Sequence, residues 1–274
     1  MNIQKLTQQL IDSNIEKNEA KREIALLLEH FCNYTQKDYM LGKPLSSSDF
    51  KIIEEKILLR VKENLPVQYI IGEAWFMGEF FKVTPDVLIP RDETEILVRK
   101  AIDIIQENSF EDVLDIGTGS GCIACSIAKN TNATVLGVDI SSDALRIALD
   151  NVTRLGINNR AIFRKSNLFE KIREGEVFDL IISNPPYIPF GTELSKEVQK
   201  EPSIALFADE NGLSVYRKII EKASNYLNEE GYLMFELGIN ESEAVKTMME
   251  KDFTDIIIEK DLADIDRIIY GKKR

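Results

Sequence analysis

The chain has 274 residues, 44% of them hydrophobic, and its 46 Asp and Glu outnumber 34 Lys and Arg for a net charge of −12. That length suits about two domains with real cores, and the acidic balance counts against broad binding to a phosphate backbone, which shows as a basic face. No run of about 18 apolar residues suggests a membrane span, the start lacks the blocks of a secretion signal, and three cysteines (Cys32, Cys122, Cys125) make no disulfide framework, so a reducing cytoplasm is the expected compartment.

Residues 1–65 read as a unit of three to five short helices. Leu6, Leu10 and Ile11 give one apolar stripe, Ile24, Leu27, Leu28 and Phe31 a second, and Ile52, Ile53, Ile57 and Val61 the expected buried face of a third. Residues 66–90 change character: Trp75, Phe76, Phe80, Phe81 and Val83 around Gly78 predict a β-hairpin with the aromatics in its core, a connector to residues 91–274. Pro85 and Pro90 bound the short apolar segment Val87-Leu88-Ile89.

From residue 93 helices and strands alternate. Strands are expected at 113–116, 134–138, 161–163, 180–182, 232–235, 256–258 and 265–269, with helices at 93–107, from Gly121, at 142–155 with Ser141 as N-cap, at 215–227 and at 241–249. This alternation predicts a mostly parallel sheet covered on both faces. The last two strands lie too close in sequence for a crossover and are expected to pair antiparallel.

The first of these strands ends in Asp115-Ile116-Gly117-Thr118-Gly119-Ser120-Gly121 and leads into a helix. Glycines there let the backbone turn sharply and approach a ligand, at the carboxyl edge where such sheets bind nucleotides. Asp139 ends the next strand, 22 positions after Gly117, where a carboxylate can accept both ribose hydroxyls. Cys122 stands where a dinucleotide fingerprint has its third glycine. A nucleoside cofactor without pyrophosphate, S-adenosylmethionine, fits better.

After the fourth strand come Asn184-Pro185-Pro186-Tyr187. Proline donates no backbone hydrogen bond, so pairing stops there. The stiff loop offers one side-chain amide, exposed carbonyls and a flat ring, suited to a planar NH2 group such as a glutamine amide or the amine of adenine. Glycine loop, acid and this loop together make a methyltransferase arrangement.

The chain resembles the HemK/PrmC family of peptide chain release factor glutamine methyltransferases over nearly its whole length. The matching segments are Pro66-Val67-Gln68-Tyr69-Ile70-Ile71-Gly72, Leu88-Ile89-Pro90-Arg91, Leu114 to Gly121, Asn184 to Pro189, Glu201-Pro202 and Lys260-Asp261-Leu262-Ala263. The resemblance implies an α/β class I methyltransferase domain, Rossmann-like with a mostly parallel seven-stranded sheet, joined by a β-hairpin to a small N-terminal helical domain that recognises the substrate. It implies S-adenosylmethionine bound by Gly117, Thr118, Gly119, Ser120, Gly121 and Asp139, with Asn167 and Leu168 near the adenine and Asn184 touching cofactor and substrate; the product is S-adenosylhomocysteine. It implies a glutamine of the Gly-Gly-Gln motif in class 1 release factors as methyl acceptor, held by Asn184, Pro185, Pro186 and Tyr187. Two departures stand out: Asp92 where the family has proline after the arginine, and Asn167 where it has aspartate.

Of these, Asn184, Pro185 and Tyr187 are expected to be catalytic: two oxygens accept the substrate N–H groups and the ring fixes the amide plane. A ribosomal protein as target, an adenine-N6 nucleic-acid methyltransferase and a non-enzymatic S-adenosylmethionine-binding scaffold are the alternatives. No metal, no direct nucleic-acid partner, no membrane association and a monomer are expected. His30 reads as a helix-face residue, Cys122 and Cys125 as small buried side chains, Glu93 and Glu95 as first-turn acids favoured by the helix dipole. Arg91 reads equally as a ligand for an acidic group near the cofactor or as half of an ion pair.

Overall fold

A computed structural model describes residues 3–274. The chain divides into two compact units: one runs to Glu73 and takes in Leu194–Lys200, the other holds Ala74–Glu193 and Glu201–Arg274. The hairpin expected as a connector thus belongs mainly to the second.

Among the described residues the helical unit has five α-helices: α1 (Ile3–Ile11), α2 (Lys17–Cys32), α3 (Gln36–Met40), α4 (Ser47–Lys62) and α5 (Val67–Ile71). The last four begin where the sequence offers a cap or a proline. Glu16 accepts from the backbone of Asn18 and Glu19, Thr35 and Asp38 form a capping box, and Ser46 accepts from the Asp49 N–H. Leu6, Leu10, Ile24, Leu27, Leu28, Phe50, Ile53 and Ile57 fill the core. The buried face of α4 is rotated from the expected stripe. Phe50, Ile53, Ile57 and Arg60 face in, while Ile52 is exposed, because Arg60 forks onto buried Glu23 at 2.8–3.0 Å and also reaches Glu197. A buried guanidinium with two carboxylates is a tolerable core element only when paired in this way.

The second unit opens with a hairpin, β1 (Glu73–Phe76) and β2 (Glu79–Lys82). Met77 and Gly78 turn it with φ of 50° and 83°, the paired left-handed geometry of a two-residue hairpin loop. Side chains alternate along a strand, so only half the aromatics can face inward. Phe76 and Phe81 are buried, whereas Trp75 and Phe80 stand exposed, edge to face at 4.8 Å. The expectation that Trp75 joins the hairpin core is therefore corrected.

The alternating elements follow: α6 (Asp92–Asn108), β3 (Asp112–Ile116), α7 (Cys122–Asn130), β4 (Thr134–Asp139), α8 (Ser142–Leu155), β5 (Ala161–Lys165), β6 (Phe178–Ser183), the short β7 (Ile188–Pro189) and β8 (Phe207–Ala208), α9 (Ser214–Ala223), β9 (Leu227–Glu236), α10 (Ser242–Met249), β10 (Phe253–Lys260) and β11 (Asp266–Lys273). The main sheet has seven strands in the order β10-β11-β9-β6-β3-β4-β5. Pairings from β9 to β5 are all parallel, and β11 runs antiparallel to both neighbours, as the short link before it requires.

Both faces of the sheet are covered, so its strands are apolar throughout rather than alternating with polar residues. Val113, Leu180, Ile182 and Met234 face one cluster with α6 and α7. Leu114, Ile181, Leu233 and Phe235 face the other with α9 and α10. Asp92 opens α6 at the position where proline is favoured. Together with Glu93 and Glu95 it places three acids at the positive end of the helix dipole. Among the described residues no helix is long and apolar enough to cross a membrane.

Candidate active site

The parallel strands β3, β4, β6 and β9 end on one edge of the sheet. The chain goes from β3 to β4 on one side and returns to β6 on the other, so a crevice opens between the loops that follow. A cavity of about 300 Å³ lies there, with Gly117, Gly119, Asp139, Asn167, Leu168 and Asn184 in its wall.

Backbone geometry builds the first wall. Gly117 and Thr118 both donate to the Val138 carbonyl, at 2.8 and 3.0 Å. Gly117, Gly119 and Gly121 all have positive φ, which side chains rarely adopt. A Cβ on Gly117 would meet no protein atom within 4 Å and would stand in the cavity, so this glycine keeps the floor open. Gly121 differs: a Cβ there would press on the Phe163 ring at 3.0 Å and Ala148 at 3.1 Å, so it serves the packing of α7. Thr118 and Ser120 are buried and do not line the cavity. Thr118 donates to Asp115 Oδ2 at 2.6 Å. Among the described residues neither the other Asp115 oxygen nor the Ser120 hydroxyl has a partner at hydrogen-bond geometry, and burial pushes the Asp115 carboxyl up to about 7.

Asp139 is held from both ends. Oδ2 accepts the Gly119 N–H at 2.9 Å and Oδ1 the Ser141 N–H at 2.8 Å. Burial raises its pKa while these backbone donors oppose the rise. A carboxylate oxygen accepts more than one hydrogen bond, so each retains capacity for a hydroxyl. This pre-set acid, the open glycine floor and the apolar Leu168 fit an adenosine-bearing ligand. Asn167 lies at the rim, its Nδ2 donating to Glu170 Oε1 at 2.8 Å, while Phe169 is buried and stacked on Tyr226.

Side chains build the second wall. Asn184 follows β6, whose end is tied to β3 by the Ser183 hydroxyl on the Ile116 carbonyl at 2.6 Å. Asn184 Nδ2 donates to Thr94 Oγ1 at 3.2 Å, and Thr94 Oγ1 donates to Glu236 Oε2 at 2.6 Å. Thr94 and Glu236 are both buried. Burial pushes the Glu236 carboxyl up to about 7, against the hydrogen bond from Thr94 and the charge of Arg267. Pro185 and Pro186 line the cavity; Tyr187 does not. Its ring packs on the α9 side of the core, and burial pushes the phenol up to about 12. Beyond it, the Ile188 N–H donates to the Leu206 carbonyl at 2.9 Å and β7 pairs with β8, which returns Ile204 and Phe207 to the cavity wall.

Several wall residues escaped the sequence reading: Asp86, Val87 and Leu88 before α6, and Ile204 and Phe207. The apolar run between Pro85 and Pro90 was the available signal for the first group. Arg91 takes the ion-pair alternative. It pairs with buried Glu201, whose other oxygen accepts the Ile89 N–H at 3.1 Å, so the two rim segments are stapled together. Glu95 accepts from the Met77 N–H at 2.6 Å, and His30 is exposed on α2. Cys122 and Cys125 are buried in α7, and burial pushes their thiols up, Cys122 to about 12, which makes them inert packing groups.

The fold and the site define an S-adenosylmethionine-dependent class I methyltransferase. Residues 107–269 match the methyltransferase domain model and residues 3–72 the PrmC N-terminal domain model. The chain belongs to the release factor glutamine methyltransferase family. It is 41% identical to the release factor glutamine methyltransferase of Geobacter sulfurreducens, over 84% of this chain and 81% of that one. Identity to that of Flavobacterium psychrophilum is 37%, over 95% and 94%. Among solved structures, a methyltransferase from Pyrococcus furiosus shares the fold at a TM-score of 0.51 and 19% identity, over 84% of this chain and 99% of that one.

Proposed function

We propose that this protein methylates the side-chain amide nitrogen of the glutamine in the Gly-Gly-Gln motif of class 1 peptide chain release factors. It would act in the cytoplasm, as a monomer, and through it modulate translation termination. The observation that carries this reading is the orientation of Asn184. With Nδ2 engaged by Thr94, Oδ1 is the acceptor that this side chain offers the cavity.

S-adenosylmethionine supplies an electrophilic methyl group on a sulfonium. Gly117, Gly119, Asp139, Asn167 and Leu168 would hold it, with Asp139 on the ribose and away from the reacting centre. Thr118, Ser120 and Gly121 would act from behind, by fixing the loop. A glutamine amide nitrogen is a weak nucleophile because its lone pair is delocalised into the carbonyl. Asn184 Oδ1 and the Pro185 carbonyl would each accept one of its N–H hydrogens. Held from two sides, the nitrogen turns its lone pair toward the methyl carbon. Such alignment is worth on the order of 7–11 kcal/mol. Both hydrogen bonds strengthen as the nitrogen becomes positive, which favours the transition state over the ground state. The N-methylated, protonated amide is a strong acid and loses its proton without a dedicated base. Pro186 would limit the acceptor slot, and Tyr187, packed against the core behind the loop, would fix the loop that carries both oxygens.

Incubation of the enzyme with methyl-labelled S-adenosylmethionine and purified release factor, ribosomal protein or DNA tests this. Label is expected on the release factor, and none after its target glutamine is replaced. Label on the ribosomal protein alone or on DNA alone would overturn the assignment.

A further inference from the structure

Asn184 can serve as an acceptor only if its amide stands the right way round, and the two ends of an amide are nearly the same shape. The chain fixes the choice from behind. In the parallel pair β6–β9, Ser183 lies opposite Phe235, so Asn184 and Glu236 are neighbours at the same edge. Thr94, on the first turn of α6, comes between them.

A hydroxyl has one hydrogen to give, and a carboxylate only accepts. The hydroxyl hydrogen of Thr94 therefore goes to the Oε2 oxygen of Glu236, the shorter bond at 2.6 Å. Only lone pairs remain to face Asn184. The NH2 end of an amide can donate to a lone pair and the oxygen end cannot, so Nδ2 turns inward at 3.2 Å. Thr94 is 2% and Glu236 1% exposed, so bulk water does not compete for the bond between them. Were Glu236 replaced by a group that donates to the hydroxyl, Thr94 would be free to donate to Asn184. The amide would then rotate and present NH2 to the cavity. Against a glutamine NH2 this sets donor against donor.

We propose that Glu236, acting through Thr94, sets the hydrogen-bond polarity of Asn184, and that both are positioning residues for methyl transfer. The inference deepens the activity proposed above and rests on it. Neither residue lines the cavity, so each would act from behind Asn184.

Single-turnover methylation of a class 1 release factor with labelled S-adenosylmethionine, paired with cofactor titration, reads this out. Thr94→Val is expected to lower the methyl-transfer rate about 10–100-fold, as loss of a group that orients an active side chain from behind commonly does. Cofactor affinity should stay unchanged, and Thr94→Ser should restore the rate. Glu236→Leu, which removes the acceptor and leaves the Thr94 hydrogen free to turn to Asn184, should match Thr94→Val. In the Asn184→Ala background Thr94→Val should cost nothing further, whereas an independent structural role would add its loss. A wild-type rate in Thr94→Val, no rescue by serine, or additive losses would overturn the proposal. NMR of the Asn184 side-chain amide supplies a readout free of activity: slowly exchanging NH2 protons in the wild type, lost in Thr94→Val. If those protons persist while the release factor stays unlabelled, the target assignment fails and the amide orientation stands. Fast exchange in the wild type would overturn the orientation itself.

Discussion

The two walls of the cavity are held in different ways. On the cofactor side, Asp139 is fixed by the backbone N–H groups of Gly119 and Ser141, and the loop is fixed by backbone bonds to Val138. On the acceptor side, Asn184 is fixed by side chains from α6 and β9, 90 and 52 positions away. Backbone donors hold any well-shaped ligand and carry no chemical choice of their own. A side-chain relay sets which end of an amide faces out, which is a choice about the reaction. With the roles proposed above, binding and turnover would rest on separable parts of one edge of the sheet.

The largest effect should come from the acceptor wall. Asn184→Ala is expected to lower the methyl-transfer rate by about 10²–10³, the range for removing one group poised for a developing charge. S-adenosylmethionine affinity should change little, because the backbone-held wall is intact. Rapid-quench rates alongside calorimetric titration of the cofactor separate the two. Equal losses in both would break the division and make Asn184 a binding residue only.

Next comes the converse change. Asp139→Asn keeps the shape but removes the charge and turns one oxygen into an NH2, which can no longer accept from a backbone N–H. Hydrogen bonds to a charged group are worth about 1.5–3 kcal/mol, so cofactor affinity should fall about 10–100-fold, with turnover at saturating cofactor largely kept. A collapse of the saturated rate with unchanged affinity would reverse the roles of the two walls.

Legibility in the sequence follows the same line. Gly117, Asp139 and Asn184 each stand at the end of an apolar strand, so local pattern alone located them. The seven strands and the antiparallel last pair were legible for the same reason. Thr94 and Glu236 were not. Threonine in a first helical turn and glutamate at a strand end are ordinary surface residues until the sheet order β9-β6-β3 brings them behind Asn184. Trp75 and Ile52 failed for a related reason. An apolar residue's side of a two-faced hairpin or of a helix is decided by what packs against it, here Phe76 and Phe81 in the first case and Arg60 in the second. Tyr187 shows the same limit. Its place in the loop was plain, but the face its ring takes depends on α9 and Gly238, and the place of its carbonyl on Gly212, all distant in sequence.

That glycine gives a smaller effect. A Cβ on Gly212 would fall on the Tyr187 carbonyl oxygen, whereas a Cβ on Gly175 meets nothing within 4 Å. Both have positive φ, so the conformational cost of alanine is common to the two and only the clash differs. Gly212→Ala should lose about 1–3 kcal/mol more than Gly175→Ala, the usual penalty for forcing atoms into a filled space. It should also slow methyl transfer by shifting the acceptor loop. Denaturant melts of both variants check the first point, and equal melts would show that the loop yields freely.

The smallest effect concerns the carboxyl buried beneath the cofactor wall. Burial pushes Asp115 up to about 7, from an ordinary value of about 4. The folded state therefore keeps a proton that the unfolded chain releases. The sign follows: stability is full below about pH 4, is lost as pH rises through about 7, and is flat above that. Glu236 and Glu241 are pushed up to about 7 by burial as well and act in the same window. Glu176 acts in the opposite sense and elsewhere. Arg164 holds it down to about 2, so its contribution disappears only in strong acid. In Asp115→Asn the hydroxyl of Thr118 keeps an acceptor while the titration is gone. Melting temperature measured from pH 4 to 8 without cofactor should fall less steeply in the variant than in the wild type. A slope as steep as the wild type's would mean that the Asp115 carboxyl is stabilised as an anion, and that the wall built from backbone donors also relies on a buried charge.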